Sequence, residues 1–232
     1  MSVLLKLLFR VALALVPVVG SANQVDIRME GDYPDLLQNA RAFVGEVEGH
    51  DRSSLRRYGD TVEERIQQAL RALGYYEFQE GDPPMLVMTV TPGEPVRVVS
   101  REVTITGPAS DDPEFSAPFP QRPAVGDVLN HGQYESLRQA ISSRASRLGY
   151  FDGRFEERRL AVNPQTREAE IRLRFASGER YRLGEVTFNE DHVFEPSFLR
   201  RFVQFEPGIP YHADKVAELS SNLSNSGYFS QS

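Results

Sequence analysis

Cysteine is absent from all 232 residues, so no disulfide and no cysteine-based metal or redox centre can form within the chain. Such a chain must rely on its apolar cores for stability. Histidine is sparse: His50, His131, His192 and His212 are far apart, and none has another histidine three or four residues away, the spacing of a paired-histidine metal site on a helix. The serines around Ser220 and Ser221 lack a G-x-S-x-G corner. Asp111-Asp112 and Glu156-Glu157 are adjacent carboxylates. Chain neighbours point apart and cannot flank a glycosidic bond, so they read as solvated surface. Basic charge is in deficit, 26 Lys and Arg against 33 Asp and Glu, which argues against nucleic-acid binding. The doublets Arg56-Arg57, Arg158-Arg159 and Arg200-Arg201 are interspersed with acids and read as solvated faces. These absences predict a non-enzymatic chain with no catalytic residues, no metal and no cofactor.

No apolar run reaches the roughly 20 residues a membrane span needs. Val11 to Val19 is shorter, follows Lys6 and Arg10, and precedes the small residues Gly20-Ser21-Ala22. That is the layout of a cleaved export signal over residues 1–22. Its removal leaves 24 basic against 33 acidic residues, a net charge of −9.

One short motif occurs three times. Leu73-Gly74-Tyr75-Tyr76, Leu148-Gly149-Tyr150-Phe151 and Ser226-Gly227-Tyr228-Phe229 place their glycines 75 and 78 residues apart, too far for a solenoid repeat and suited to small globular modules. Each glycine follows an amphipathic pattern. Gly74, Gly149 and Gly227 are therefore read as helix stops, because glycine enters the left-handed conformation most cheaply, with the following aromatics starting a strand.

The first module, residues 23–92, reads as a strand at Gln24–Arg28 and a helix carrying Leu36, Leu37, Ala40, Phe43 and Val44. A polar connector from His50 to Tyr58 leads to a second helix, capped by Asp60 or Thr61, with Val62, Ile66, Ala69, Leu70 and Leu73 on one face. Strands at Tyr75–Gln79 and Met85–Thr91 flank a Gly81–Pro84 turn. The second module, 93–176, repeats the order: a strand at Glu102–Thr106, a proline-rich loop with a short helix over 108–123, and a helix capped by Asn130 with Tyr134, Leu137, Ile141, Ala145 and Leu148 on one face. Extended chain from Phe151 to Val162 then turns at Asn163–Thr166 into a strand, Glu168–Phe175, whose strict alternation means one packed and one wet face. The third module, 177–232, opens with Glu185-Val186-Thr187-Phe188, continues through Phe198, Leu199 and Phe202, and has Val216, Leu219 and Leu223 before Gly227. It reads as truncated before its last two strands. Gly93-Glu94-Pro95-Val96-Arg97-Val98 and Gly178-Glu179-Arg180-Tyr181-Arg182-Leu183 occupy equivalent joints 85 residues apart. The predicted class is α+β: three tandem β-α-α-β-β modules, each a small three-stranded sheet with two helices on one face.

This repeated unit with its helix-ending Gly-Tyr-Phe resembles the polypeptide-transport-associated (POTRA) domain. Gly126-Asp-Val-Leu-Asn130, Gln133-Tyr-Glu-Ser-Leu137, Leu148-Gly-Tyr-Phe-Asp152 and the run from Gly178 to Val186 are similar to TamA-like outer-membrane assembly proteins. The resemblance implies a periplasmic scaffold at the outer membrane of a Gram-negative cell, ahead of a C-terminal membrane β-barrel that this chain lacks. It implies two kinds of partner: unfolded outer-membrane or autotransporter client chains, and an inner-membrane-anchored TamB-like protein. General outer-membrane assembly and two-partner secretion transporters share the architecture, and a stand-alone soluble periplasmic enzyme is the alternative of another class. Client recognition in this family resembles β-augmentation, a client strand adding to an exposed sheet edge. With the strand after each glycine taken as the free edge, Tyr76, Phe78, Phe151 and Phe155 are the candidate client-binding residues, set against core packing as the ordinary role of such aromatics.

Overall fold

The structure is a computed structural model and describes residues 26–45, 52–80, 87–188 and 194–228. Within these, the side chains of residues 52–58, 60, 78–80, 87, 88 and 196 fall outside the description. The 1–22 signal, the Gly81–Pro84 turn, His50 and His192 also lie outside the described residues.

The first unit has β1 (Asp26–Met29), α1 (Pro34–Val44), α2 (Arg52–Ala72), β2 (Phe78–Glu80) and β3 (Val87–Pro92). Its sheet order is β1-β3-β2, with β3 central, parallel to β1 and antiparallel to β2. The helix pair serves as the crossover that a parallel pairing requires. Ile27, Ala40, Val44, Val62, Ile66, Ala69, Leu70 and Val90 form the core. Asn39 Nδ2 donates to Ala69 O at 2.7 Å and Arg65 Nη1 to Val44 O at 2.9 Å, tying the helices together. Two sequence expectations fail here. The polar stretch up to Tyr58 belongs to α2, so Asp60 and Thr61 sit inside a helix rather than at its cap. Its arginines are good helix formers, and a polar helix start needs no apolar face of its own. Phe43, at the edge of the α1 apolar stripe, is exposed.

The second unit has β4 (Arg97–Thr106), α3 (His131–Leu148), β5 (Arg154–Asn163) and β6 (Glu168–Ala176), again ordered first-third-second as β4-β6-β5. Ala169, Ile171, Leu173 and Phe175 of β6 and Tyr134, Leu137, Ile141, Ala145 and Leu148 of α3 interlock in one core. Each fully buried Leu, Ile or Phe there contributes about 1.5–3 kcal/mol. Asn130 caps α3, its side chain accepting from Gln133 N at 3.1 Å.

The expected helix pair is not present in this unit. A single 3-10 turn, Pro108–Ser110, stands where α1 stands in the first, because Pro113, Pro118, Pro120 and Pro123 deny the following segment its helical amides. The loop packs by aromatics instead. Phe115 is fully buried against Phe175 and Tyr150, while Arg144 holds the carbonyls of Phe115, Ala117 and Pro118 and lies 4.0 Å over the Phe119 ring. β4 also starts earlier than the alternation suggests. Its first residues come from the joint, and a bulge at Val99 restores register.

The third set of elements is α4 (Pro196–Leu199), a 3-10 turn (Arg200–Phe202) and α5 (Ala213–Asn225). Residues 185–188 are not a strand. β1 and β4 are each held in a ladder by the third strand of their own sheet, and residues 185–188 have no such partner among the described residues. Phe194, Phe198, Phe202 and Tyr228 cluster with ring centroids 5.3–5.6 Å apart.

Candidate functional site

The site grows out of the glycine corners. Gly74 N donates to Arg71 O and Tyr75 N to Leu70 O, both at 3.0 Å, closing α2. Gly149 N to Ser146 O at 3.3 Å and Tyr150 N to Ala145 O at 2.8 Å close α3 in the same pattern. This double bond is a Schellman stop, and it requires the positive φ of +90° and +84° found at the two glycines. α5 differs: it ends at Asn225, with Ser226 in helical conformation and Gly227 one residue beyond at φ +73°.

Each of the first two glycines also docks the following unit. Gly74 O accepts from Val96 N at 2.7 Å, and Gly149 O accepts from Tyr181 N at 2.9 Å. A Cβ at Gly74 would sit 2.5 Å from Leu129 O, and one at Gly149 would sit 2.6 Å from Tyr211 Cβ. The docking surfaces are copies of one another. Val98 N bonds Asp127 O at 2.9 Å and Arg97 Nη1 bonds Gly126 O at 3.0 Å. In the next copy, Leu183 N bonds Ile209 O at 2.9 Å and Arg182 Nη1 bonds Gly208 O at 2.6 Å. Asn130 and His212 then cap α3 and α5 at matching positions. The signal for this was in the chain, as Gly126-x-x-Leu129-Asn130 against Gly208-x-x-Tyr211-His212 at an offset of 82 residues, and sequence reasoning passed over it.

Two of the four aromatic candidates, Phe78 and Phe155, lie in the outer strands β2 and β5, and two, Tyr76 and Phe151, precede them. Tyr76 precedes β2, packs against the second unit's core and places its hydroxyl 2.7 Å from His131 Nε2. Phe151 lies in the turn before β5, about half exposed, against Tyr181 and Tyr211 at 5.4 and 4.8 Å. These equivalent residues, each two past its glycine, serve the joints. Phe155 does lie in β5, but it packs edge-on against Phe175 at 5.1 Å. Phe78 begins β2, and its side chain is outside the description.

Asp112 departs from its expected solvated role. It is buried, with Tyr150 OH donating at 2.8 Å, Glu114 N at 2.9 Å and Arg180 Nη1 at 2.8 Å. Arg180 also donates to Leu148 O at 2.8 Å and to Glu114 Oε2 and Tyr211 O at 3.1 Å, so one guanidinium joins α3, the 108–123 loop and the start of α5. Burial works to raise the Asp112 pKa, but its hydrogen bonds and the Arg180 charge outweigh this and hold it below the ordinary value. Burial and the Asp112 carboxylate push Tyr150 up to about 12. Pro95 occupies the Arg180 position in the earlier joint. There burial lowers the His131 pKa against a weaker opposite pull from Glu135.

The two edges of the second sheet are unequal. The start of β4 is covered, as Val96, Arg97 and Val98 pair with residues 126–129 through an antiparallel bridge at Val128, and Arg101 Nη2 donates to Pro120 O at 2.9 Å. β5 pairs with β6 on one side, and its outer side has no backbone partner among the described residues. Among the same residues, no three His, Cys, Asp or Glu side chains gather to hold a metal, and no helix is long and apolar enough to cross a membrane.

Residues 26–80 match the family described as POTRA domain, TamA domain 1, and residues 181–232 match the family described as POTRA, surface antigen variable number repeat. The two ends of the chain are thus POTRA domains. Its middle unit, outside both matches, has the POTRA strand order of the first unit and the joint geometry of the third. Among solved structures it is similar to BamA POTRA domains 3–5 of Haemophilus influenzae, at 16% identity over 94% of this chain and 91% of that one with a TM-score of 0.40. It is also similar to POTRA domains 1–3 of Omp85 from Anabaena, at 17% identity over 90% and 85% with a TM-score of 0.36. A third neighbour is the N-terminal domain of Omp85 from the thermophilic cyanobacterium Thermosynechococcus elongatus, at 18% identity over 90% and 87% with a TM-score of 0.34. POTRA domains are typical of Omp85-family outer-membrane assembly proteins, where they are non-enzymatic, chaperone-like periplasmic modules.

Proposed function

We propose that this POTRA chain is the client-handling scaffold of a TamA-type outer-membrane assembly factor, exported by the 1–22 signal and divided at about residues 92 and 176. Unfolded outer-membrane or autotransporter strands dock on it beside a membrane β-barrel, and a TamB-like inner-membrane-anchored protein is its second partner. The match of residues 26–80 to a TamA first domain supports the TamA assignment. The open side of β5 carries the docking reading, because a ten-residue strand whose outer amides and carbonyls have no backbone partner among the described residues accepts an extended chain through backbone bonds with little demand on sequence. Here Tyr76 and Phe151 hold the units in line and the backbone of β5 receives the client.

Amide exchange of the protein with and without an extended ten-residue client peptide tests this. Added protection over residues 154–163, with none over 101–106, supports it; protection at β4 or nowhere refutes it. Capture of a TamB-like protein from membrane extract by residues 23–232 tests the TamA assignment against general assembly and two-partner secretion, and failure to capture it counts against TamA.

A further inference from the structure

β5 is not a uniform edge. Its pairing with β6 jumps from Phe155↔Phe175 to Glu157↔Arg174, so Glu156 bulges and the longest unbroken register runs from Glu157 to Asn163. In an antiparallel pair, opposite residues share a face. Leu160 opposite Ile171 and Val162 opposite Ala169 therefore lie on the helix side, and both pack against the core. Arg158 is opposite the fully buried Leu173 and shares that side. It is nevertheless exposed, and it makes no hydrogen bond or ion pair among the described residues. Its charge is close enough to α3 to act on the Tyr134 hydroxyl. The nearby α3 charges, Glu135 and Arg138, are bonded to each other at 2.5 Å and leave Arg158 unanswered. A bulge and an inward-side charge are two of the devices by which edge strands discourage indiscriminate pairing. Here the charge stands next to two apolar positions of the same face, at the spacing of an added strand's side chains.

We propose that β5 is a selective edge: it takes an extended segment that sets a carboxylate opposite Arg158 and apolar side chains opposite Leu160 and Val162, and it disfavours a cation opposite Arg158. The proposal rests on the strand-docking reading and adds the chemistry of the strand. On the outer face Glu157, Arg159, Ala161 and Asn163 alternate with these positions and offer no single-sign demand, so selection falls on the helix side.

The test uses the full chain and two labelled seven-residue probes. One alternates threonine with glutamate, valine and valine; its twin carries lysine for glutamate, and each is made in both sequence directions. Binding is read by fluorescence anisotropy at low salt. Wild type should prefer the glutamate probe about tenfold, combining an opposite-charge pair gained with a like-charge pair avoided. Arg158→Ala should bring the ratio to about one, and Arg158→Glu should invert it. Arg158 is exposed, so circular dichroism should show both variants folded. Equal binding of the two probes by wild type, with β5 protected in both complexes, overturns the selectivity and leaves strand docking standing. A preference that survives both substitutions also overturns it, and binding of neither probe overturns selectivity and strand docking together.

Discussion

Gly149→Ala separates two costs that coincide at this residue. The first is conformational: alanine at φ +84° costs about 1 kcal/mol relative to glycine. The second is contact. The new Cβ would lie 2.6 Å from Tyr211 Cβ and 2.9 Å from its Cδ1, distances that force a shift costing about 1–3 kcal/mol in packed surroundings. The total is about 2–4 kcal/mol. Gly126→Ala is the control, since φ there is +93° but nothing stands within 4 Å of the added carbon, so only the first cost applies. Tyr211→Gly removes every atom in the clash and closes a double-mutant cycle. A multi-domain chain does not unfold in one step, so amide exchange of α3 and the 181–183 joint is the appropriate measurement. The expected coupling between Gly149→Ala and Tyr211→Gly is about 1–3 kcal/mol. Additivity within about 0.5 kcal/mol, or equal losses at Gly149 and Gly126, would show that docking of the third unit does not forbid a side chain at residue 149.

Four shorter predictions concern the joints and the cap. Asp112 has a lowered folded pKa, so its stabilising effect is present above its unfolded value near 3.8 and is lost as pH falls through the folded one. Acid unfolding of the second unit should therefore steepen below about pH 4, and Asp112→Asn should flatten that limb. Arg180→Ala leaves Asp112 its Tyr150 and Glu114 bonds and should cost about 2 kcal/mol, read as faster amide exchange at Tyr181 and Tyr211. His131 has a lowered folded pKa, so the first joint should weaken as pH falls below about 6.5; exchange at Val96 should rise there in wild type, and a flat profile would remove His131 from the joint. Asn130→Ala removes the α3 cap and should cost about 1 kcal/mol in urea unfolding.

The joint asymmetry bears on function. Both joints share the glycine-carbonyl bond, but only the later one has an arginine bonded to a buried carboxylate, because Arg180 stands where the earlier joint has Pro95. The orientation of the second and third units is thus fixed by charge as well as by backbone, while the first joint depends on Val96, Tyr76 and His131. A client lying along β5 would meet a frame braced on the side of the third unit.

By itself the sequence determined whatever depends on local period and local torsion. The five buried positions of α3, the alternation of β6, the Asn130 cap and the left-handed turns at Gly74 and Gly149 could all be read from the chain, because each follows from 3.6- or 2-residue periodicity or from one residue's conformational freedom. Tertiary structure decided what depends on a distant partner. Residues 185–188 have the composition of a strand but no ladder among the described residues, and Asp112 looked solvated until Tyr150 and Arg180 came from 38 and 68 residues away. Tyr76 and Phe151 became joint residues only because another unit arrives at the same glycine. Whether an edge is open, and which face an arginine such as Arg158 takes, is a property of strand order and register, and these are settled by the packing of the whole sheet against its helix.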